Sequence, residues 1–299
     1  MSSLVDMLLP YNTINIIGMT KNAGKTTVLN HLIRDFGRRG VGLALTSIGR
    51  DGEEIDVVTQ TSKPRIFVAA GTIVITTEKL LPVCDITKEI VAVTDFATPL
   101  GRVVVVRAIS GGFVQLGGPS ITTQMAVLVA DLQGLWAEKI IIDGAISRKS
   151  LASPTLTQAT VLCTGAALAA DANSIIDQTC HAVNMLMLPK APKDDGDHIY
   201  LPGAVSDARM RELVLSRDIK GRCVIADDAS KVFISSDTYS KLLTRKGTLA
   251  VRAPINLVAV AVNPVSPRGF VLDAEEFLAK MRAAMPIPVY DVAQKECLI

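Results

Sequence analysis

Gly18-Met19-Thr20-Lys21-Asn22-Ala23-Gly24-Lys25-Thr26-Thr27 has the residue types and spacing of a phosphate-binding loop. An apolar run, Ile14-Asn15-Ile16-Ile17, precedes it. A helical pattern follows, with Val28, Leu29, Leu32, Ile33 and Phe36 on one face. Strand, glycine-containing loop, Gly-Lys-Thr and helix is the context in which such a motif carries weight. The chemistry follows from the backbone. Loop amides and the free amides of a helix N-terminus converge on a polyphosphate, assisted by the helix dipole. Gly18, Asn22, Ala23, Gly24, Thr26 and Thr27 supply that cradle. Lys25 bridges the β- and γ-phosphates, and the Thr26 hydroxyl is a ligand for Mg²⁺. The ordinary alternative is a solvated turn with a chance lysine, which leaves the flanking pattern unexplained.

The second chemical signal is Lys139-Ile140-Ile141-Ile142-Asp143-Gly144-Ala145. Aliphatic residues ending in an aspartate read as a Walker B strand, whose carboxylate reaches Mg²⁺ through water, across from Thr26. Asp-Gly is also a common turn, so the signal gains its force from the loop that precedes it. Just beyond, Ser147 and Arg148 stand where a γ-phosphate contact would be useful, or are exposed loop residues. A third stretch, Gly49-Arg50-Asp51-Gly52-Glu53-Glu54-Ile55-Asp56, follows the expected second strand and should face the phosphate site, because ligands lie at the carboxyl ends of strands. An acidic surface turn explains it equally well.

The loop departs from the strict motif. Met19 stands where a glycine is usual, and the glycine comes one place earlier, at Gly18. In this it resembles the dethiobiotin synthetases and their relatives in the SIMIBI branch of P-loop NTPases. Partition and motor-like members of that branch carry a further lysine five residues before the loop lysine. Here that place is Thr20, so a lysine donated across a dimer is not expected. The resemblance implies a carboxylate in the loop after the second strand that orients the attacking water or holds the Mg²⁺ hydration shell, which nominates Asp51 and Glu53. It also implies that the base is read after a late strand, where Asn263 stands. Pro264 and Ser266 replace the Lys and Asp of a guanine-reading Asn-Lys-x-Asp, which points to adenine and hence to ATP.

A narrower resemblance runs over the first third of the chain. The loop itself, the run Leu45-Thr46-Ser47-Ile48-Gly49-Arg50-Asp51-Gly52-Glu53, Lys63-Pro64-Arg65-Ile66 and Gly71-Thr72 resemble the small nucleotide-binding subunits of the reactivase for adenosylcobalamin-dependent lysine 5,6-aminomutase. That likeness implies a regulatory, chaperone-like ATPase that drives exchange of damaged cobalamin on the mutase. A second ATPase subunit would be its partner, and cobalamin need not bind this chain. The alternative is an ATP-dependent ligase or kinase of the dethiobiotin synthetase type acting on a small molecule. Arg148 and the glycine loop around Ser120 would then be the substrate anchors.

The elements needed to position these residues are legible in outline. A chain of 299 residues, 49% hydrophobic and only 4% aromatic, rich in Ala and Val, suits helices packed on a buried parallel sheet. The expected fold is α/β, a mostly parallel sheet flanked by helices in one P-loop NTPase domain over 1–299, with a possible β-rich insertion at 60–118. A net charge of +2, scattered along the chain, gives no nucleic-acid surface. No apolar run is long enough for a membrane span, and no secretory signal is expected. Cys84, Cys163, Cys180, Cys223 and Cys297 form no paired framework and read as reduced thiols of a cytoplasmic protein. His31, His181 and His198 are too isolated for a structural zinc.

In chain order, a first helix is expected to end near Gly37–Gly40, and Gly42–Ile48 to return as a parallel strand. Arg65–Val68, Thr72–Thr76 and Gly101–Val106 read as strands, and Leu80–Ile90 as a short helix. Glycine pairs bracket Phe113–Leu116 as a hairpin or loop. A helix over about Ile121–Ala137, capped by Ser120 and Thr122, is expected to bury Met125, Leu128, Val129, Leu132 and Trp136. Further strands are expected at Thr160–Thr164, Ile199–Gly203, Arg222–Asp228 and Lys231–Ile234. Asp227 and Asp228 are read as turn or capping residues. Ile255–Val262 is expected to rejoin the core sheet, with a helix capped by Asp273 and an edge strand at Ile287–Asp291 after it.

Overall fold

The protein is represented by a computed structural model, in which residues 3–48, 65–134, 137–144, 156–193, 196–216 and 219–291 are described. The chain begins with α1 (Leu4–Leu8), closed by a capping box between Ser3 and Asp6. β1 (Thr13–Gly18) is buried at every position and leads into α2 (Lys25–Arg38). That helix buries Val28, Leu29, Leu32, Ile33 and Phe36, as the spacing of its apolar residues requires. β2 (Leu43–Ser47) follows directly.

Residues 66–114 are β-rich: β3 (Ile66–Val68), β4 (Ile73–Thr77), β5 (Lys88–Thr98), β6 (Gly101–Ala108) and β7 (Gly112–Val114). The helix expected over Leu80–Ile90 does not form. A single 3₁₀ turn at Leu81–Val83 takes its place, and β5 begins at Lys88. Pro82 suits a first turn and not a helix interior. The Asp85 amide is also drawn off to Phe113 O, at 2.7 Å. Ile90, Val91, Val93 and Thr94 then favour strand.

Next come α3 (Thr122–Gln133), β8 (Lys139–Asp143), β9 (Ala159–Gly165) and α4 (Ala172–Leu186). α3 buries Met125, Leu128, Val129 and Leu132 as expected, but neither Ser120 nor Thr122 caps it. The N-cap residue is Ile121, with no side-chain hydrogen bond. Trp136 and Cys297 lie outside the described residues. The remainder is β10 (His198–Leu201), β11 (Val205–Ser206), α5 (Asp207–Leu215), β12 (Cys223–Asp228), β13 (Val232–Phe233), α6 (Ser236–Thr244), β14 (Thr248–Ala253), β15 (Leu257–Asn263), α7 (Ala274–Ala284) and β16 (Val289–Asp291).

Nine strands form the main sheet, in the order β16-β15-β9-β1-β8-β2-β4-β6-β5. The run from β16 to β4 is parallel, and β6 and β5 extend it antiparallel. The described part of the expected insertion therefore joins the main sheet; only β3 and β7 stand apart as a two-stranded ladder. A second parallel sheet, β10-β12-β14, is built from residues 198–253.

Alternation along the strands divides the core. Ile14, Ile16, Leu45, Ile141, Val161 and Cys163 face α1 and α2. Ala44, Ile73, Ile75, Ile140 and Ile142 face α3. Leu162, Val260 and Val262 pack with α4, α7 and the inner face of the small sheet. The parallel α/β architecture of the main sheet is the one the sequence pattern called for, and among the described residues no helix is long and apolar enough to cross a membrane.

Candidate functional site

The strands carrying the two strongest motifs are neighbours. β1 lies between β8 and β9, with Ile16 in register with Asp143 and Gly18 in register with Cys163. Side chains alternate along a strand. Asp143 therefore falls on the α2 face with Ile141, and Gly18 and Cys163 fall there with Ile16 and Val161. Gly18 and Cys163 thus form a row at the carboxyl end of the sheet, and Asp143, in register with Ile16, lies one step below that row on the same face.

The loop above that row is held by two left-handed residues, Asn22 at φ 61° and Gly24 at φ 93°. Asparagine and glycine are the residues that tolerate this conformation best. Gly24 is the N-cap of α2 and offers no side-chain acceptor, so the first amides of the helix are not capped by a side chain of its own N-cap residue. Lys25 then runs back over the end of β1. A methyl group on Gly18 would stand 2.9 Å from its Cγ, 3.0 Å from its Cδ and 3.1 Å from its Nζ. Glycine at 18 is what lets the lysine lie along the strand end. The departure from the strict motif thus has a local reason: the glycine sits under the lysine, while Met19 is tied through its amide to Cys163 O at 2.9 Å.

Cys163 is fully buried, and burial above all pushes its thiol up to about 12, against the pull of Lys25 and with a smaller push from the Asp143 carboxylate. Ala23 and Thr27 are buried and Thr26 is half-buried. Thr26 and Asp143 offer hard oxygen donors of the kind that suit Mg²⁺, which keeps most of its own waters and completes its shell from phosphate. Asp143 O also accepts the Ile48 amide at 3.2 Å, tying the end of β2 to the same corner.

Asn263, nominated as the base-reading residue, lies at the loop itself. A methyl on Gly24 would stand 3.1 Å from Asn263 Cβ. Its Oδ1 accepts the Val265 amide at 3.0 Å, and its carbonyl accepts the Ala166 amide at 2.9 Å. The structure brings Asn263 against the loop at Gly24. Asp51 and Glu53, nominated for the attacking water, lie outside the described residues, as do Arg50, Ser147 and Arg148.

Sequence reasoning missed one neighbour of this corner. Cys163, read as a packing thiol, stands in register with Gly18 at the strand end over which Lys25 lies; the signal was its position at the end of an apolar strand. The glycine loop, read as a hairpin or loop or else as a substrate anchor, lies along the carboxyl ends of β2 and β4. A methyl on Gly118 would meet Ser47 O at 2.3 Å, and one on Gly117 would meet Thr77 Cγ2 at 2.9 Å. Ser47 is in register with Asp143, so this loop borders the site.

Compared with known protein families the chain matches no family, and compared with curated proteins it finds no match.

Proposed function

We propose that this protein binds ATP with Mg²⁺ at residues 18–27 and acts as a regulatory, chaperone-like ATPase on a partner enzyme. The observation that carries the reading is the corner just described: a helix opening on an uncapped glycine, Lys25 laid over Gly18, and Asp143 one strand away on the same face. In this reading the loop amides and Lys25 hold the β- and γ-phosphates. Thr26 binds Mg²⁺ directly and Asp143 binds it through water, while Asp51 or Glu53 orients the attacking water. The choice of adenine rests on the residues after Asn263. The choice of partner, an adenosylcobalamin-dependent aminomutase together with a second reactivase subunit, rests on the sequence resemblance. Nucleotide state would then set the shape of the loops that meet the partner.

The test is a thermal-shift panel of ATP, GTP and their non-hydrolysable analogues, with and without Mg²⁺, followed by ATPase assays with and without the mutase. Stabilisation by Mg-ATP above Mg-GTP, with slow turnover accelerated by the partner, is the expected result. No shift with any nucleotide would end the proposal.

One observation favours a second reading, a small-molecule ligase or kinase. The Gly117-Gly118 loop and the start of α3, whose N-cap offers no side-chain bond, stand beside the end of β2, where an acceptor substrate would have to lie. Phosphoryl transfer that depends on an added carboxylate or amine, and not on a protein partner, would select it.

A further inference from the structure

The two edges of the main sheet differ sharply. β16 is three residues long, whereas β5 runs for eleven, and among the described residues no strand pairs with its outer side. Long free edges recruit further strands unless prolines, charged side chains or bulges guard them. β5 contains no proline. Its one lysine, Lys88, turns inward and donates from Nζ to Leu81 O and Cys84 O, both at 2.9 Å. Ile90 and Val93 remain 56% and 46% exposed.

The pattern of faces is unusual. Residues opposite one another in a ladder share a face. Ile90 is opposite Val106 and Val93 is opposite Val104, and both valines face α2. Ile90 and Val93 therefore share a face although they are three residues apart. The cause is a bulge, a register shift between Ile90 and Ala92. It turns Val91 and Ala92 together toward the α3 side, where Val91 packs and Ala92 opposes Val105.

We propose that β5 pairs antiparallel with β5 of a second copy of this chain, about a twofold axis between Val91 and Ala92. In that register Val91 faces Ala92 and Ile90 faces Val93, each pair occurring twice, and a second register shift follows Val93 and ends the regular stretch. The apolar pairs match in face because the bulges of the two copies meet at the axis. In an unbulged strand the same register would set opposite faces against each other. Sliding by one residue in one direction brings Val91 opposite Val93, which lies on the other face. Sliding in the other brings Glu89 opposite Val93. Both are disfavoured, so one register stands out. The joint would fuse the two main sheets edge to edge, and β8, β2, β4 and β6 would separate each phosphate loop from it. The inference does not depend on the nucleotide reading.

Sedimentation of the intact chain at tens of micromolar, followed by cysteine trapping, tests it. The wild-type protein is expected to be a dimer, and Val93→Lys, at an exposed position, to be a folded monomer by circular dichroism. Under mild oxidation a mixture of Ile90→Cys and Val93→Cys chains should cross-link. Neither variant alone should do so beyond the wild-type background. A monomeric wild type, a dimer that survives Val93→Lys, or a dimer without the mixed cross-link would each overturn the proposal.

Discussion

At the head of α2, and again at the heads of α5 and α6 beside the small sheet, a strand leads into a helix, but the helix heads are filled differently. Ser206 Oγ accepts the Arg209 amide at the start of α5, and Ser235 Oγ accepts the Thr238 amide at the start of α6. Asp207 in turn accepts from the amide and hydroxyl of Ser235 at 2.7 and 2.8 Å. Asp227, next to last in β12, is occupied by Tyr200, by Lys231 at 2.7 Å and by the Gly203 amide. Asp228 accepts the Ser230 amide at 2.8 Å. The small sheet thus meets its own polar demands. At α2 the cap is a glycine with nothing to donate or accept from a side chain, and the neighbouring lysine lies on bare strand. The lesson is that a strand leading into a helix does not by itself make an anion site. The junctions differ in whether a side chain occupies the helix head: Ser206 and Ser235 fill theirs, whereas Gly24 cannot.

The comparison is sharpest where one group is removed from each region. Lys25→Ala is expected to abolish the stabilisation by Mg-ATP, about 2.7 kcal/mol at a nucleotide concentration of roughly 100 Kd, while the melting temperature without nucleotide stays near wild type. Asp227→Ala should do the reverse, lowering the unliganded melting temperature and leaving the nucleotide-induced shift intact. Differential scanning fluorimetry reads both; equal nucleotide shifts in Lys25→Ala and wild type would erase the distinction.

A smaller effect is expected from Gly18→Ala. The added methyl displaces Lys25 from the strand end, and nucleotide affinity should fall about tenfold, ~1.4 kcal/mol, as measured by titration calorimetry. Ser235→Ala removes a cap and a partner of Asp207. It should cost about 1 kcal/mol of stability in denaturant unfolding, with no change in nucleotide affinity.

The smallest effect is pH-dependent. Hydrogen bonds, chiefly from Lys231 and Tyr200, hold the Asp227 carboxyl at about 2, below the ordinary 3.8. The folded state therefore binds this proton less readily than the unfolded chain. Its contribution is complete above the unfolded value and is lost as the pH falls from 3.8 toward 2. The melting-temperature gap between wild type and Asp227→Asn should accordingly narrow across that window. A constant gap would show that the carboxylate's charge is not what the small sheet uses.

Much of this was legible from sequence because the signals were local. The loop from Gly18 to Thr27, the aliphatic run into Asp143, and the amphipathic face of α2 each declare themselves within a dozen residues, and the strands β1, β2, β8 and β15 followed. What escaped was set by distant pairing. β5 shows no clean alternation because it is an edge strand exposed on both faces and shifted by bulges, so Leu80–Ile90 read as helix. The α3 cap was misassigned because Ser120 and Thr122 both suit that position by type, while the backbone places Ile121 there. No local rule says that residues 198–253 leave the main sheet to form their own, or that β9 comes to lie beside β1 and so sets Cys163 beside Gly18.

That sulfur has a practical consequence. Fully buried, and with that burial holding down its ionisation, Cys163 is expected to resist alkylating reagents for as long as the sheet's centre stays closed. The rate at which a maleimide reaches it is then a clock for how often the middle of the molecule comes apart, and any molecule that clamps the loop would be seen to slow that clock without ever touching the thiol.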